Sequence, residues 1–209
     1  MDLWPLIAAE RVAFADLLDG LAAEDWQEQS LCPAWTVHGV VAHLVSAQAS
    51  STSERLRAAW HGRGVPSRVT EVLAARYART SPPELVAWIR AHPDSRFSPP
   101  GMGPRAPLTD VMVHRVDVAV PLALPLDRPA TSWVPVLDFL LGRTPMLGVV
   151  KRGFPAAAYV ATDVEWRRGA GPEVRGTADV LGSVLAGRAA LADRLEGPGA
   201  AAVRSWVTS

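Results

Sequence analysis

Residues 108–120, LTDVMVHRVDVAV, are the stretch that says most about the fold of this chain. At 100° per residue, Asp110, His114 and Asp117 fall within about 60° of one another, so they form one narrow polar strip. A helix that is apolar on nearly every other side is typical of a buried position, so the strip points into the protein. The apolar residues round the rest of the helix are Val111, Met112, Val113, Val116, Val118, Ala119 and Val120.

The polar strip has two interpretations. Buried carboxylates are costly unless they are paired or bound to a metal. A carboxylate at Asp110 and an imidazole at His114, at i and i+4, can both reach one ion, as paired ligands do in helical-bundle metal sites. The alternative is an Asp–His hydrogen bond at a helix–helix contact. Spacing alone leaves both open.

Three further helical regions precede this helix. Their apolar spacing predicts helices over 4–21, over 37 to about 60 and over 67–91, the last with a candidate break at Ser81. Thr36 is the predicted N-cap of the second helix, and the proline-rich stretch 92–107 is a loop. Four helices joined by loops indicate a mainly α protein built on a four-helix bundle.

The pattern changes after about residue 128. TSWVPVLDFLLGR (131–143) predicts a helix, FPAAAYVATDVEW (154–166) a strand, and RRGAGPEVRG (167–176) a hairpin with a short return strand. Helices are predicted over 177–187 and from Pro198 onward. We therefore expect a bundle at 1–128 and a small α+β domain at 129–209.

Composition excludes several classes of function. The 209 residues carry 21 basic and 21 acidic side chains, so the chain lacks the basic footprint of a nucleic-acid-binding protein. No stretch approaches the length of a membrane helix, and the N-terminus lacks the basic region of a signal peptide. The single cysteine, Cys32, cannot form an internal disulfide. We expect a cytoplasmic protein, either a monomer or a homodimer.

DWQEQSLCPAWTVHGVVAHL (25–44) resembles the DinB-like N-terminal domain of mycothiol-dependent maleylpyruvate isomerases. The resemblance continues in DVMVHRVD (110–117), in ATDVEW (161–166) with GPEVRGTADVLGSVLAGR (171–188), and in GPGAAAVRSW (197–206). It implies that His43 joins Asp110 and His114 as a ligand of a divalent metal. From its own helix, His43 would be interpreted as a core or boundary residue, and His38 lies nearly opposite it.

The resemblance also implies a chemistry. Two imidazoles and one carboxylate leave coordination positions open, as in catalytic zinc sites, although the set also suits Fe(II). In the family, the thiol of mycothiol takes the open position. Its thiolate would add to an activated alkene, which allows rotation and then expulsion of the thiolate. That sequence is a cis–trans isomerisation, and retention of the adduct is an S-transfer.

Further residues are candidates for roles around this site. Asp117 is expected to fix a ligand imidazole, with a salt bridge to an arginine as the alternative. Arg175 and Arg188 are candidates for binding carboxylates, with structural ion pairs as the alternative. The family's carboxylate ligand is usually Glu. The shorter Asp110 requires either an ion nearer its helix or a bridging water.

Two other functions stay open from the sequence. A metal-dependent hydrolase on the same bundle would place water where the family places the thiol. A non-catalytic binding protein would keep the fold, with or without the metal, but lack the reaction.

Overall fold

The computed structural model describes residues 2–142 and 153–209. The chain divides into two compact units, Met1–Pro125 and Leu126–Ser209. This division lies three residues before the boundary expected from the sequence.

The N-terminal unit is a helical bundle, as predicted. The described α-helices of this unit are α1 (Trp4–Asp19), α2 (Val37–Ala49), α3 (Thr52–His61), α4 (Pro66–Tyr77), α5 (Pro82–Ala91) and α6 (Arg105–Ala119). Helices α1 and α2 each pack against both α5 and α6, and α4 packs against α2 and α3.

The prediction of one helix from 37 to about 60 was wrong, because the chain breaks between α2 and α3. Ser51 is extended and begins α3 with a capping box, in which its hydroxyl accepts from the Glu54 amide and the Glu54 carboxylate accepts from the Ser51 amide. This reciprocal pairing satisfies amides that a continuous helix would have bonded internally. The signature S-T-S-E (51–54) was present in the sequence.

The candidate break at Ser81 was confirmed. The Ser81 amide donates to the Glu84 carboxylate at 3.0 Å, and α5 begins at Pro82. The stretch from 92 to 104 contains no helix or strand, as predicted, and α6 begins at Arg105, three residues before the expected start.

Helix α6 is buried nearly all round. Every residue from Leu108 to Ala119 is buried except Asp110, which is intermediate. The burial of this helix, which its apolar residues predicted, is therefore confirmed.

The C-terminal unit is a small α+β domain, as predicted. Its described α-helices and strands are α7 (Ala130–Leu140), β1 (Ala158–Ala161), β2 (Arg167–Gly169), β3 (Glu173–Gly176), α8 (Ala178–Leu185) and α9 (Ala200–Thr208). The three described strands lie in the order β2-β1-β3, with β2 antiparallel and β3 parallel to β1. Helix α7 packs against α8. The last residue of the helix predicted over 131–143 lies outside the described residues.

The predicted hairpin over 167–176 was wrong in its pairing, because both strands pair with β1 instead of with each other. Two glycines with positive φ carry the chain from one edge of β1 to the other. A Cβ on Gly169 would lie 2.2 Å from the Ala157 carbonyl oxygen, and one on Gly171 would lie 2.9 Å from that of Ala156. Because Gly169 and Gly171 have no side chain, the segment between β2 and β3 can pass close to the backbone of Ala156 and Ala157.

Within the part of the chain that the structure describes, no helix is long and apolar enough to cross a membrane.

Candidate metal centre

The three predicted metal ligands come together in the N-terminal unit. Oδ1 of Asp110 lies 3.3 Å from Nε2 of His43 and 3.4 Å from Nε2 of His114. The three candidate ligand atoms all lie within 4.8 Å of one another. Two atoms that each stand 2.0–2.1 Å from a tetrahedral zinc ion are about 3.3–3.4 Å apart. The donor set and its spacing therefore fit a divalent metal.

The shorter side chain of Asp110 reaches both imidazoles. His114 lies one turn further along α6, and His43 projects from α2, which packs against α6. Asp110 therefore does not need the extra methylene of Glu to contact its partners. Of the two possibilities left by the sequence, this geometry favours direct ligation close to α6 over a bridging water.

Asp117 fixes the orientation of His114. Its Oδ2 accepts a hydrogen bond from Nδ1 of His114 at 2.8 Å, and its side chain is fully buried. With the proton on Nδ1, the lone pair of Nε2 is directed towards Asp110 and can bind an ion. The polar strip on α6 therefore contains both a candidate ligand pair and the carboxylate that orients the imidazole.

His43 is oriented in a different way. Its Nε2 faces Asp110, whereas its Nδ1 is buried and has no hydrogen-bond partner among the described residues. The imidazole instead lies against the indole of Trp35, with ring centroids 4.7 Å apart and an interplanar angle of 18°. Trp35 stood in the motif that carried the resemblance, but it was not predicted as a site residue.

Asp110, His43 and His114 form a cluster in which neighbouring charges affect the pKa values of Asp110 and His114. Burial by itself raises the pKa of Asp110, but the charge of His43 and hydrogen bonds with both imidazoles outweigh it and hold that pKa well below its usual range. Burial lowers the pKa of His114, but hydrogen bonds with Asp110 and Asp117 raise it to about 9. In the absence of a metal, the cluster therefore holds a carboxylate against a protonated His114 near neutral pH.

This raised pKa predicts how the metal-free protein responds to pH. Because the folded pKa of His114 lies above its ordinary 6.5, its stabilising effect is complete below pH 6.5 and is lost as pH rises through about 9. We expect the free energy of unfolding to fall by roughly 3 kcal/mol over this range, relative to a His114→Gln variant. Urea denaturation at pH 6, 7.5 and 9.5 measures this difference. A difference that stays constant or grows with pH would contradict the assignment.

Comparison with known proteins finds a family match in the N-terminal part of the chain. Residues 7–98 match the family described as the mycothiol maleylpyruvate isomerase N-terminal domain. The match covers less than half of the 209 residues and lies in the N-terminal helical unit. No curated protein sequence matches the chain.

Two solved structures resemble the whole chain. The first is the crystal structure of the mycothiol-dependent maleylpyruvate isomerase, with a TM-score of 0.57 and 15% identity. The second is a histidine-to-alanine mutant of the mycothiol-dependent maleylpyruvate isomerase, with a TM-score of 0.56 and 16% identity. Each match covers 96% of this chain and 97% of the other. At this identity the likeness shows a shared fold, and the match of family and fold confirms the resemblance seen in the sequence.

Arg11 is a neighbour of the cluster that sequence reasoning missed. It is 2% exposed, and its Nη1 donates to the carbonyl oxygens of Pro93 and Ser95 at 2.8 and 2.6 Å. Burial lowers the pKa of Arg11 to about 10, and the charge of Asp110 acts against that shift. The signal was present in the sequence, since Arg11 continues the buried stripe of α1 that contains Ile7, Phe14 and Leu18.

Arg175 and Arg188 belong to the C-terminal unit. Nη1 of Arg175 lies 3.7 Å from Oε2 of Glu173, and about half of the Arg175 side chain is exposed. Nη1 of Arg188 donates to the carbonyl oxygen of Ala186 at 2.6 Å. Their expected role in binding carboxylates stays a prediction.

Proposed function

We propose that this chain is a metal-dependent enzyme that uses mycothiol as a cosubstrate and acts as an isomerase or an S-transferase on a small electrophilic substrate. The convergence of Asp110 Oδ1 with the Nε2 atoms of His43 and His114 carries the proposal. The family match over residues 7–98 supports it. So do the two similar solved structures, both of which are of the mycothiol-dependent maleylpyruvate isomerase.

His43, Asp110 and His114 would hold the metal. Zinc is the first choice for this donor set, and Fe(II) is also compatible with it. When bound, a divalent metal lowers the pKa of a coordinated thiol and so favours the thiolate near neutral pH. Three protein ligands leave room for such a thiol, and the Asp110 side chain is 30% exposed, so the cluster is accessible from solvent.

Several residues have separate tasks in this proposal. Asp117 holds the proton on Nδ1 of His114 and so keeps Nε2 available as a ligand. Asp110 stays ionised and contributes negative charge at the site. In the C-terminal unit, Arg175 and Arg188 are our candidates for binding carboxylate groups of the substrate.

The proposed reaction begins with addition of the mycothiol thiolate to one carbon of an activated alkene, which moves the π-electron pair onto the activating group. The former double bond is then single and can rotate. Return of the electron pair expels the thiolate and regenerates the alkene in the other configuration, so the thiol is not consumed. If the carbanion is protonated instead, the carbon–sulfur bond remains and the product is a thioether.

The thiol role can be tested with cobalt-substituted protein. We expect mycothiol to produce a thiolate-to-Co²⁺ charge-transfer band, because a thiolate at the open position would contact the ion. S-methyl mycothiol, which cannot form a thiolate, is the matched control and should produce no band. A His43→Ala variant treated in the same way reports whether the band depends on the proposed site.

The absence of this band with mycothiol and with other low-molecular-weight thiols would contradict the thiol mechanism and would favour a hydrolase or a binding protein. If the band is present, a product assay with maleylpyruvate distinguishes isomerisation from S-transfer. Isomerisation without loss of free thiol indicates the isomerase, and consumption of thiol indicates the S-transferase.

A further inference from the structure

The two imidazoles of the candidate metal centre differ in what holds them. Nδ1 of His114 donates to Asp117, which is the usual arrangement for a metal-binding histidine. Nδ1 of His43 is buried and has no such partner within the described residues. Without a hydrogen bond at Nδ1, another contact has to keep the His43 ring from turning Nε2 away from Asp110.

Trp35 makes that contact. Its indole stacks on the His43 imidazole at 4.7 Å and lies tilted against the His114 imidazole at 5.9 Å. Stacked rings attract each other beyond the effect of burial, and a large flat ring restricts rotation of the ring beneath it. We propose that Trp35 is the positioning residue that orients His43 for metal binding. This inference rests on the proposed function, since it assumes that His43 is a ligand.

The loop that carries Trp35 is itself firmly held. The Trp35 carbonyl oxygen accepts from the Ser30 hydroxyl at 2.6 Å and from the side-chain amide of Gln29 at 2.8 Å. The Trp35 backbone amide donates to the Cys32 carbonyl oxygen at 3.0 Å. The hydroxyl of the next residue, Thr36, caps α2 by accepting from the Gly39 amide. The backbone on both sides of the indole is therefore fixed against the start of the helix that carries His43.

Gly39 leaves the space that the indole occupies. A Cβ at Gly39 would lie 2.9 Å from Cβ of Trp35 and 3.2 Å from Cγ of the same side chain. Even alanine would therefore push the indole from its place beside His43. The absence of a side chain at Gly39 is one condition for the stack.

The same loop also contacts the residue that orients the other imidazole. The Leu31 amide donates to the backbone carbonyl oxygen of Asp117 at 3.0 Å. One segment, 29–36, therefore contacts His43 through Trp35 and is tied to α6 at Asp117. Displacement of this segment would disturb both imidazoles.

Variants of Trp35 test the inference through metal binding and not through turnover. We expect Trp35→Leu to weaken zinc binding by about three- to tenfold in competition with a chromophoric chelator, because the stack is lost. The visible bands of the Co²⁺ form should broaden or shift, since His43 becomes less well ordered. Trp35→Phe keeps a stacking ring and should restore most of the affinity and the spectrum.

Trp88→Leu is the matched control. Trp88 stacks on His92 at 4.4 Å and 16°, which is the same kind of pair on α5. This control should leave zinc affinity and the Co²⁺ spectrum unchanged. If Trp35→Leu fails to fold, Gly39→Ala provides the second test, because it displaces the indole without removing it and should weaken zinc binding in the same direction.

The outcomes separate this inference from the proposed function. If the wild type binds zinc and Trp35→Leu or Gly39→Ala binds it equally well with an unchanged Co²⁺ spectrum, the positioning role is refuted while the metal site stands. An equal loss in Trp88→Leu also refutes it, because the effect is then one of general stability. If the wild type binds no zinc, the proposed function fails first and the inference fails with it.

Discussion

Substitution of His114 by alanine is expected to lower zinc affinity at least about a thousandfold. It removes one of the three candidate ligand atoms, and it also removes the imidazole whose Nδ1 donates to buried Asp117. Any turnover of maleylpyruvate with mycothiol that the wild type shows should fall below detection in the same variant. Chelator competition measures the affinity, and a continuous absorbance assay measures the turnover.

His92→Ala is the control for this substitution. His92 also contacts a tryptophan ring, but it lies at the end of α5 and not among the three candidate ligands. It should leave the zinc affinity unchanged. Zinc affinity within tenfold of the wild type in a folded His114→Ala protein would show that His114 is not a ligand.

Substitution of Asp117 by asparagine is expected to lower zinc affinity between about tenfold and a hundredfold. Asparagine keeps the shape and one hydrogen-bond acceptor, but it removes the negative charge that raises the pKa of His114. The pKa of His114 in the metal-free protein should therefore fall from about 9. An NMR titration of the imidazole gives the pKa, and chelator competition gives the affinity.

Asp138→Asn is the control for Asp117→Asn, because Asp138 is an acid paired with Arg168 in the C-terminal unit. It should change neither quantity. If Asp117→Asn leaves the pKa of His114 at its wild-type value, the hydrogen bond between these residues does not control the imidazole as proposed.

The part of the site on α6 could be predicted from spacing. Asp110, His114 and Asp117 share one face of any regular helix, and the apolar residues around them predicted its burial. His43 is different, because the spacing of its own helix gave no reason to choose it. Its proximity to Asp110 depends on how α2 packs against α6, and only the family resemblance contained that information.

Trp35 and Arg11 were missed for a different reason. Trp35 acts from a loop, where no periodicity indicates which way a side chain points. Arg11 occupied an apolar stripe, and only the structure shows the backbone carbonyl groups of Pro93 and Ser95 that pair with it. The contacts of Arg11 also join segments that are distant in sequence.

Within the fold, short-range motifs could be predicted from the sequence, whereas the pairing of the strands could not. The capping boxes at Ser51 and Ser81 are short-range motifs, so both helix starts were available from the sequence, although only Ser81 was recognised. The order of the three described strands could not be predicted from the sequence. Strand propensity and glycine turns predict that 167–176 reverses, but they do not determine that β3 pairs with β1 in parallel.

The central claim is that His43, Asp110 and His114 hold one divalent metal ion. Zinc content after gentle purification and reconstitution, measured by elemental analysis on the wild type and on His43→Ala, tests it most directly. We predict about one equivalent of zinc per chain in the wild type and a large loss in the folded variant. Less than about a tenth of an equivalent in the wild type, or equal zinc in both proteins, would contradict the account.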